Sequence, residues 1–195
     1  MGAGQLDQAE PLRLRAFFGL PVPEEQREIL GPFLIAAAAA APAYRWVAAA
    51  NLHLTVRFMG SVESQLADGI ADRLAARSLA GFELELGELG MFKRGRLVRV
   101  VWIGLRHGLE AARGLAAIVE SECADAGLEP EARPFQPHLT LGRARSREGS
   151  PPPELPGVPT LGPWRAEHLV LYRSHLGRPG AVYEPLKSLR LGGPD

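Results

Sequence analysis

A short pattern of alternating polar and apolar residues occurs twice in this 195-residue chain. Residues 51–58 read NLHLTVRF and residues 136–143 read QPHLTLGR. Each copy contains His-Leu-Thr followed by an aliphatic residue, with His53 in the first copy and His138 in the second. Because alternate side chains of a β-strand share a face, each copy predicts a strand with histidine and threonine on one face and aliphatic residues on the other. The repetition predicts two similar lobes whose polar faces meet at a cleft.

The remaining chain predicts an α+β fold with antiparallel sheets. Further strands are indicated by period-two alternation or by runs of β-forming residues over 12–20, 44–47, 82–89, 96–105, 164–175 and 182–191. Helices are predicted over 24–41, with a kink or break at Gly31–Pro32, over 61–80 and over 109–126. Turns are expected at 91–95 and 177–180, and a proline-rich loop at 145–162. The hairpin-like order of the strands favours antiparallel pairing over a doubly wound parallel sheet.

Composition excludes several classes of protein. The 22 basic residues balance 22 acidic ones, so the chain lacks the basic excess that coats long nucleic acid. The single cysteine, Cys123, forms neither an intrachain disulfide nor a thiolate zinc site. Residues 1–11 have no signal-peptide pattern and are expected to be a flexible leader to one domain over 12–195. The longest apolar run, around 33–41, is too short to span a bilayer, so we expect a cytoplasmic protein.

The first motif predicts a polar strand face around His53. Strict alternation places Thr55 and Arg57 on that face and Phe58 on the opposite, aliphatic one. Arg57 is therefore a candidate for phosphate binding, although a solvated strand arginine fits the pattern equally well.

The second motif predicts a matching face with His138 and Thr140. Strict alternation puts Arg143 on the opposite face, unless the strand ends or bulges at Gly142, which glycine permits. Phe135, just before the motif, is a candidate for stacking on a base, and core packing is its commoner role.

Two imidazoles and two hydroxyls in one cleft suit phosphodiester cleavage. One histidine can remove a proton from the nucleophile while the other delivers a proton to the leaving oxygen, because imidazole titrates near neutral pH. Thr55 and Thr140 can donate hydrogen bonds to the phosphate oxygens. His53 and His138 have no histidine or carboxylate at metal-ligand spacing, and no phosphate-binding loop occurs, so neither metal nor cofactor is expected.

Four segments resemble the two-histidine phosphoesterase superfamily, and more narrowly the bacterial and archaeal RNA 2',3'-cyclic phosphodiesterases, also called 2'-5' RNA ligases. The segments are RLRAFFGLPVP, RWVAAANLHLTVRFMG, FQPHLTLGRAR and LVLYRSHLGRPGAVYEPLKSLRL, which together extend over 12–191. The chain departs from the family at Ala50, where an acidic residue is common.

The resemblance implies a bilobal fold of two pseudo-symmetric antiparallel sheets, flanked by helices, around a central cleft. It implies hydrolysis of RNA-terminal 2',3'-cyclic phosphate, as on tRNA-derived ends, to a 2'-phosphomonoester, and ATP-independent 2'-5' ligation. It also implies that His53 is the proton donor and His138 the acceptor, with Thr55 and Thr140 holding the phosphate. The residues themselves do not decide which histidine does which. We expect a monomer.

Two alternatives stay open at this point. One is a phosphodiesterase for another substrate, such as a cyclic nucleotide, ADP-ribose cyclic phosphate or 2'-5' oligoadenylate. The other is a noncatalytic protein that binds RNA ends, although a binder has no need of two titratable groups.

Overall fold

The computed structural model of the protein describes residues 12–177 and 180–192. The predicted leader, 1–11, lies outside the described residues, and the assignment of 12–195 to one domain stays a prediction. In the described ranges the strands are Arg13–Pro21 (β1), Tyr44–Trp46 (β2), His53–Glu63 (β3), Phe82–Arg94 (β4), Leu97–His107 (β5), His138–Ala144 (β6), Trp164–Ala166 (β7), His168–Leu176 (β8) and Ala181–Arg190 (β9). The α-helices there are Glu24–Ala40 (α1), Ser64–Ala75 (α2) and Leu109–Asp125 (α3).

The strands form an antiparallel sheet in the order β7-β4-β5-β6-β3-β1-β8-β9, and β2 pairs with β6. This confirms the predicted α+β class with antiparallel strands. The two motif strands, β3 and β6, are neighbours at the centre and pair through Leu54 and Leu139, which are both buried. The sheet therefore has two halves that meet at the motifs. The pseudo-symmetry of these halves stays a prediction.

Both motif strands contain a β-bulge directly after the threonine. In β3, Thr55 pairs with Gly19 of β1 and Arg57 pairs with the adjacent Phe18, so Val56 is the extra residue. In β6, Leu141 is the extra residue in the pairing with β5. A bulge shifts the alternation of side chains by one position.

The bulges give the two motifs the same burial pattern. Residues 53–58 and 138–143 both run half-buried, buried, half-buried, buried, buried, exposed. The prediction that Arg57 shares the His53 face is wrong, because Arg57 is buried, with 7% of its surface exposed, and Phe58 is 39% exposed. The bulge that the sequence left open in β6 is present, and Arg143 after it is exposed.

Helix α1 runs from Glu24 to Ala40 without the predicted break at Gly31–Pro32. Proline removes one hydrogen bond of the helix ladder. Here Leu30, Phe33 and Leu34 are buried on both sides of Pro32. Their packing holds the helix together across the proline.

Two predicted boundaries move because strand pairing extends further than the local pattern suggests. Residues Met91–Arg94, predicted as a turn, pair with β5, and the β4–β5 turn is confined to Gly95 and Arg96. Helix α2 begins three residues later than predicted, because β3 stays paired with β1 up to Glu63.

The predicted end of α3 at Gly127 is confirmed by the positive φ of that residue. Within the described residues, no helix is long and apolar enough to cross a membrane.

Candidate active site

The pairing of β3 with β6 brings the two motifs together. In an antiparallel ladder, the residue before one member of a pair lies opposite the residue after the other member. Because Leu54 pairs with Leu139, the register puts His53 opposite Thr140 and Thr55 opposite His138. The structure thus unites the four polar residues predicted from the motifs.

Each imidazole is oriented by a backbone carbonyl two residues earlier. His53 Nδ1 donates to the Asn51 carbonyl at 2.8 Å, and His138 Nδ1 donates to the Gln136 carbonyl at 2.7 Å. Because a carbonyl oxygen only accepts, Nδ1 carries the proton in both neutral rings. The Nε2 atoms are therefore the ones that exchange protons with a reacting group.

His53 lies among three aromatic rings. Its centroid is 4.7 Å from that of Phe17, 4.8 Å from that of Tyr183 and 6.0 Å from that of Tyr172. Its Nε2 lies 3.0 Å from Thr55 Oγ1, so the hydroxyl donates to the neutral ring and accepts from the protonated one. This histidine is held tightly on its ring faces and at both nitrogens.

His138 is held by fewer groups. The ring of Phe92 meets it edge-on at 5.0 Å between centroids, and that of Trp102 lies at 6.0 Å. The hydrogen bond of its Nδ1 lies nearer to the surface than that of His53. His138 is therefore the histidine with better access to solvent.

Burial lowers the pKa of both histidines. For His53, burial and the charges of Arg143 and His138 lower the pKa to about 4, against the raising effect of the bond to Asn51. For His138, burial and the Arg143 charge lower the pKa, and the bond to Gln136 opposes them. Both rings are therefore neutral in the free protein at pH 7. Arg143 lies close enough to act on both of them.

Arg57 has a different place from the one its position in the motif suggests. Its Nε lies 2.6 Å from Glu120 Oε2 of α3, and its Nη1 lies 2.6 Å from Glu131 Oε1. Its guanidinium also donates to the carbonyls of Phe58 and Glu129. The structure therefore holds Arg57 in an ion-pair cluster with α3 and the α3–β6 loop, in the lining of the cleft that also includes Thr55 and His138.

Phe135 is half-buried beside the site. It lines a cleft of about 650 Å³ that also includes Thr55 and His138. The structure thus brings Phe135 close to the motifs, although it does not stack on either histidine. Within residues 12–177 and 180–192, no cluster of three His, Cys, Asp or Glu side chains is arranged to hold a metal ion.

The aromatic residues around the two histidines were missed by the sequence analysis. A signal for them exists in glycines placed inside strands, which mark a close approach. A Cβ on Gly19 would lie 3.3 Å from His53 Cδ2, and one on Gly90 or Gly104 would meet the Trp102 ring. These glycines let rings lie against the backbone on both sides of the site.

An α+β fold whose antiparallel sheet has one His-x-Thr motif on each of its two central strands defines a two-histidine phosphoesterase. Comparison with known proteins agrees, since the family model of the 2'-5' RNA ligase superfamily matches residues 24–178. The chain belongs to the 2'-5' RNA ligase superfamily, which confirms the family predicted from the motifs.

Named relatives are similar over most of their length. The RNA 2',3'-cyclic phosphodiesterase of Escherichia coli (strain K12) is 35% identical over 92% of this chain and 96% of its own. The protein of the same name from Aeropyrum pernix is 33% identical over 72% of this chain and 82% of its own. The crystal structure of E. coli LigT in apo form has a TM-score of 0.73 and 33% identity, over 92% of this chain and 98% of that one. The crystal structure of TT0787 of Thermus thermophilus has a TM-score of 0.73 and 28% identity, over 92% of this chain and 99% of that one.

Proposed function

We propose that this protein hydrolyses the 2',3'-cyclic phosphate at the end of an RNA to a 2'-phosphomonoester. The observation that carries the proposal is a pair of imidazoles on neighbouring strands, each with Nδ1 bound to a backbone carbonyl, so that Nε2 is the atom that exchanges protons. Arg143 acts on both rings. The similarity to proteins named RNA 2',3'-cyclic phosphodiesterase supports the choice of substrate.

In the proposed reaction, His138 Nε2 takes a proton from a water molecule whose oxygen attacks the phosphorus. The bond from phosphorus to the 3' oxygen breaks in line with the attack. His53 Nε2 donates its proton to that departing oxygen, which becomes the 3' hydroxyl. One P–O bond forms and one breaks, and proton exchange with solvent restores both rings.

The surroundings of the two rings support these roles. The attacking water arrives from solvent, and His138 is the more accessible ring. His53 is enclosed by aromatic rings, where the departing oxygen stays part of the bound sugar. Its lowered pKa makes protonated His53 a strong acid, and a phosphodiester anion beside it favours the protonated form.

Thr55, Thr140 and Arg143 complete the phosphate site in this proposal. The hydroxyls donate to the two non-bridging oxygens, and the guanidinium compensates the charge that gathers on them. Thr55 Oγ1 lies 3.0 Å from His53 Nε2, so the acid and the phosphate share this hydroxyl.

The test is turnover of a short RNA that ends in 2',3'-cyclic phosphate, with excess EDTA present. His53→Ala and His138→Ala are each expected to lower kcat by roughly 10²–10⁴-fold, the usual contribution of general acid–base catalysis. His168→Ala is the matched control, because His168 is an exposed histidine at the far end of β8. Full activity in both site variants would remove the mechanism.

A second substrate separates the acid from the base. With sulfur in place of the 3' oxygen, the leaving thiolate needs no proton, since thiols have a pKa of about 8.5. His53→Ala is then expected to regain most of its rate, while His138→Ala stays slow. The opposite pattern would exchange the two roles.

A substrate panel tests the alternatives. It includes a cyclic nucleotide, ADP-ribose cyclic phosphate and a 2'-5' oligoadenylate, and an RNA with a 5' hydroxyl is added as a competing nucleophile. We expect the RNA cyclic phosphate to have the highest kcat/KM. Binding of RNA ends without turnover of any substrate would instead identify an RNA-end binder.

A further inference from the structure

A groove beside His138 lies between α3 and the loop that precedes β6. We call it the α3 groove, and it is lined by Arg113, Ala116, Ala117 and Glu120 of α3 and by 133–136 of the loop. Its volume is about 650 Å³, and Thr55 and His138 also line it. Clefts that hold small ligands have volumes of roughly 300–1,000 Å³, so the groove has room for a nucleotide next to the reacting group.

The acidic residues of this groove are partly neutralised by one shared cation. Glu120 and Glu131 both contact the buried guanidinium of Arg57 at 2.6 Å. In addition, Glu120 Oε1 accepts a hydrogen bond from the backbone N–H of Glu131. The two carboxylates thus share one guanidinium, and the three lining arginines, Arg57, Arg113 and Arg133, outnumber them by one positive charge.

The remaining charge of the groove is positive. Arg113 forms an ion pair with Glu110 of its own helix at 2.6 Å. Arg133 is exposed and has no ion pair within the described part of the chain. A guanidinium without a protein partner, next to a phosphoryl-transfer centre, suits a phosphate.

The groove also offers an apolar surface that includes one aromatic ring. Phe135 is half-buried, and Ala116 and Ala117 line the opposite wall. Bases stack on aromatic side chains without regard to sequence, with about 1–3 kcal/mol per base by alanine substitution. A cation and an aromatic ring on the same short loop fit one nucleotide of a single strand.

We propose that the α3 groove binds the nucleotide preceding the terminal one. Arg133 contacts the phosphate that links the two nucleotides, and Phe135 stacks on the base of the preceding one. This inference rests on the proposed function, because it assumes that the terminal cyclic phosphate lies at the histidines. It makes Arg133 a specificity-determining residue. The protein then prefers RNA ends to mononucleoside cyclic phosphates.

The test compares two substrates in one assay, a dinucleotide ending in 2',3'-cyclic phosphate and a mononucleoside 2',3'-cyclic phosphate. The readout is the ratio of their kcat/KM values. Arg133→Gln is expected to lower this ratio about tenfold, as for loss of one hydrogen bond to a charged group. Arg190→Gln, an exposed arginine at the far end of edge strand β9, is the matched control and is expected to keep the wild-type ratio.

Salt and a second variant give independent readouts. For the dinucleotide, the slope of log kcat/KM against log salt is expected to become shallower by about 0.7 in Arg133→Gln, the value for one single-strand phosphate contact. Phe135→Leu keeps the apolar volume and removes the aromatic ring, and it is also expected to lower the substrate ratio.

The inference is overturned if wild type uses both substrates equally, or if Arg133→Gln keeps the wild-type ratio and salt slope. Failure of the proposed function looks different, because wild type would then turn over neither substrate.

Discussion

The half of the site around His53 and the half around His138 begin from nearly the same sequence but end with different environments. Both strands have the same burial pattern, the same bulge and the same bond from Nδ1 to a carbonyl. His53 is enclosed by three aromatic rings and a hydroxyl, whereas His138 has two rings and better access to solvent. A local motif therefore positions an imidazole, and its neighbours from other strands set how the imidazole behaves.

The bulges also explain why the two arginines of the motifs differ. After the bulge, Arg57 occupies the position that Gly142 has in the other strand, and Phe58 occupies that of Arg143. The first position of each pair is buried and the second is exposed. One arginine consequently stabilises the fold, and the other carries its charge to the imidazoles.

The largest effect expected from this comparison is on catalysis through Arg143. Arg143→Gln is expected to lower kcat/KM for the cyclic phosphate by about 10²–10³-fold, as for loss of a donor to the transition state. Its stability should change little, because the side chain is exposed. Kinetics and urea unfolding measure the two quantities, with Arg147→Gln in the following exposed loop as control. A normal rate in Arg143→Gln would contradict the comparison.

Arg57→Gln is expected to lower stability more than it lowers kcat/KM, the opposite of Arg143→Gln. It leaves Glu120 and Glu131 without their shared cation, and removing one partner of a buried pair costs about 3–5 kcal/mol. Because both carboxylates are partly exposed, at 30% and 52%, we expect a smaller loss of about 2 kcal/mol in the free energy of unfolding. Urea unfolding checks the value. Unchanged stability together with a rate loss as large as that of Arg143→Gln would contradict the assignment.

The pH dependence reports the lowered pKa values of the two histidines. The proposed mechanism needs one ring protonated and the other neutral, and His53 has a pKa of about 4 while that of His138 is lowered from 6.5. As pH rises above both values, the protonated acid is lost, so kcat/KM falls tenfold per unit. As pH falls below both, the neutral base is lost. We therefore expect a maximum of kcat/KM between about pH 4 and 6.5, and a maximum above pH 7.5 would contradict the burial effect.

The smallest effect tests the bulge in β6. A Cβ on Gly142 would lie 2.9 Å from the Trp46 ring, so Gly142→Ala is expected to cost about 1 kcal/mol of stability by overpacking. Gly31→Ala in α1 is the control, because nothing lies within 4 Å of its Cβ position and alanine favours a helix. Equal stability of the two variants would show that the position tolerates a side chain.

Several features of the fold could be predicted from sequence because they depend on short-range patterns. The alternation of His53 with Thr55 and of His138 with Thr140 assigned both motif strands and their polar faces. The extent of β4 beyond Met91 and the unbroken helix across Pro32 could not be predicted in this way. Both depend on residues far along the chain that pair with or pack against these segments.

The sequence by itself determined the class of fold and the family, because periodicity and a duplicated motif are local properties. The same motif predicted the two histidines and their threonines as site residues. Tertiary structure decided which arginine reaches the imidazoles, because one extra residue in each motif strand reverses the alternation of side chains. The position of that extra residue depends on the pairing of β3 with β1 and of β6 with β5. It also decided the depth of each imidazole, because the enclosing rings come from five other strand positions, two of them beyond residue 170. Their proximity arises only when the sheet assembles.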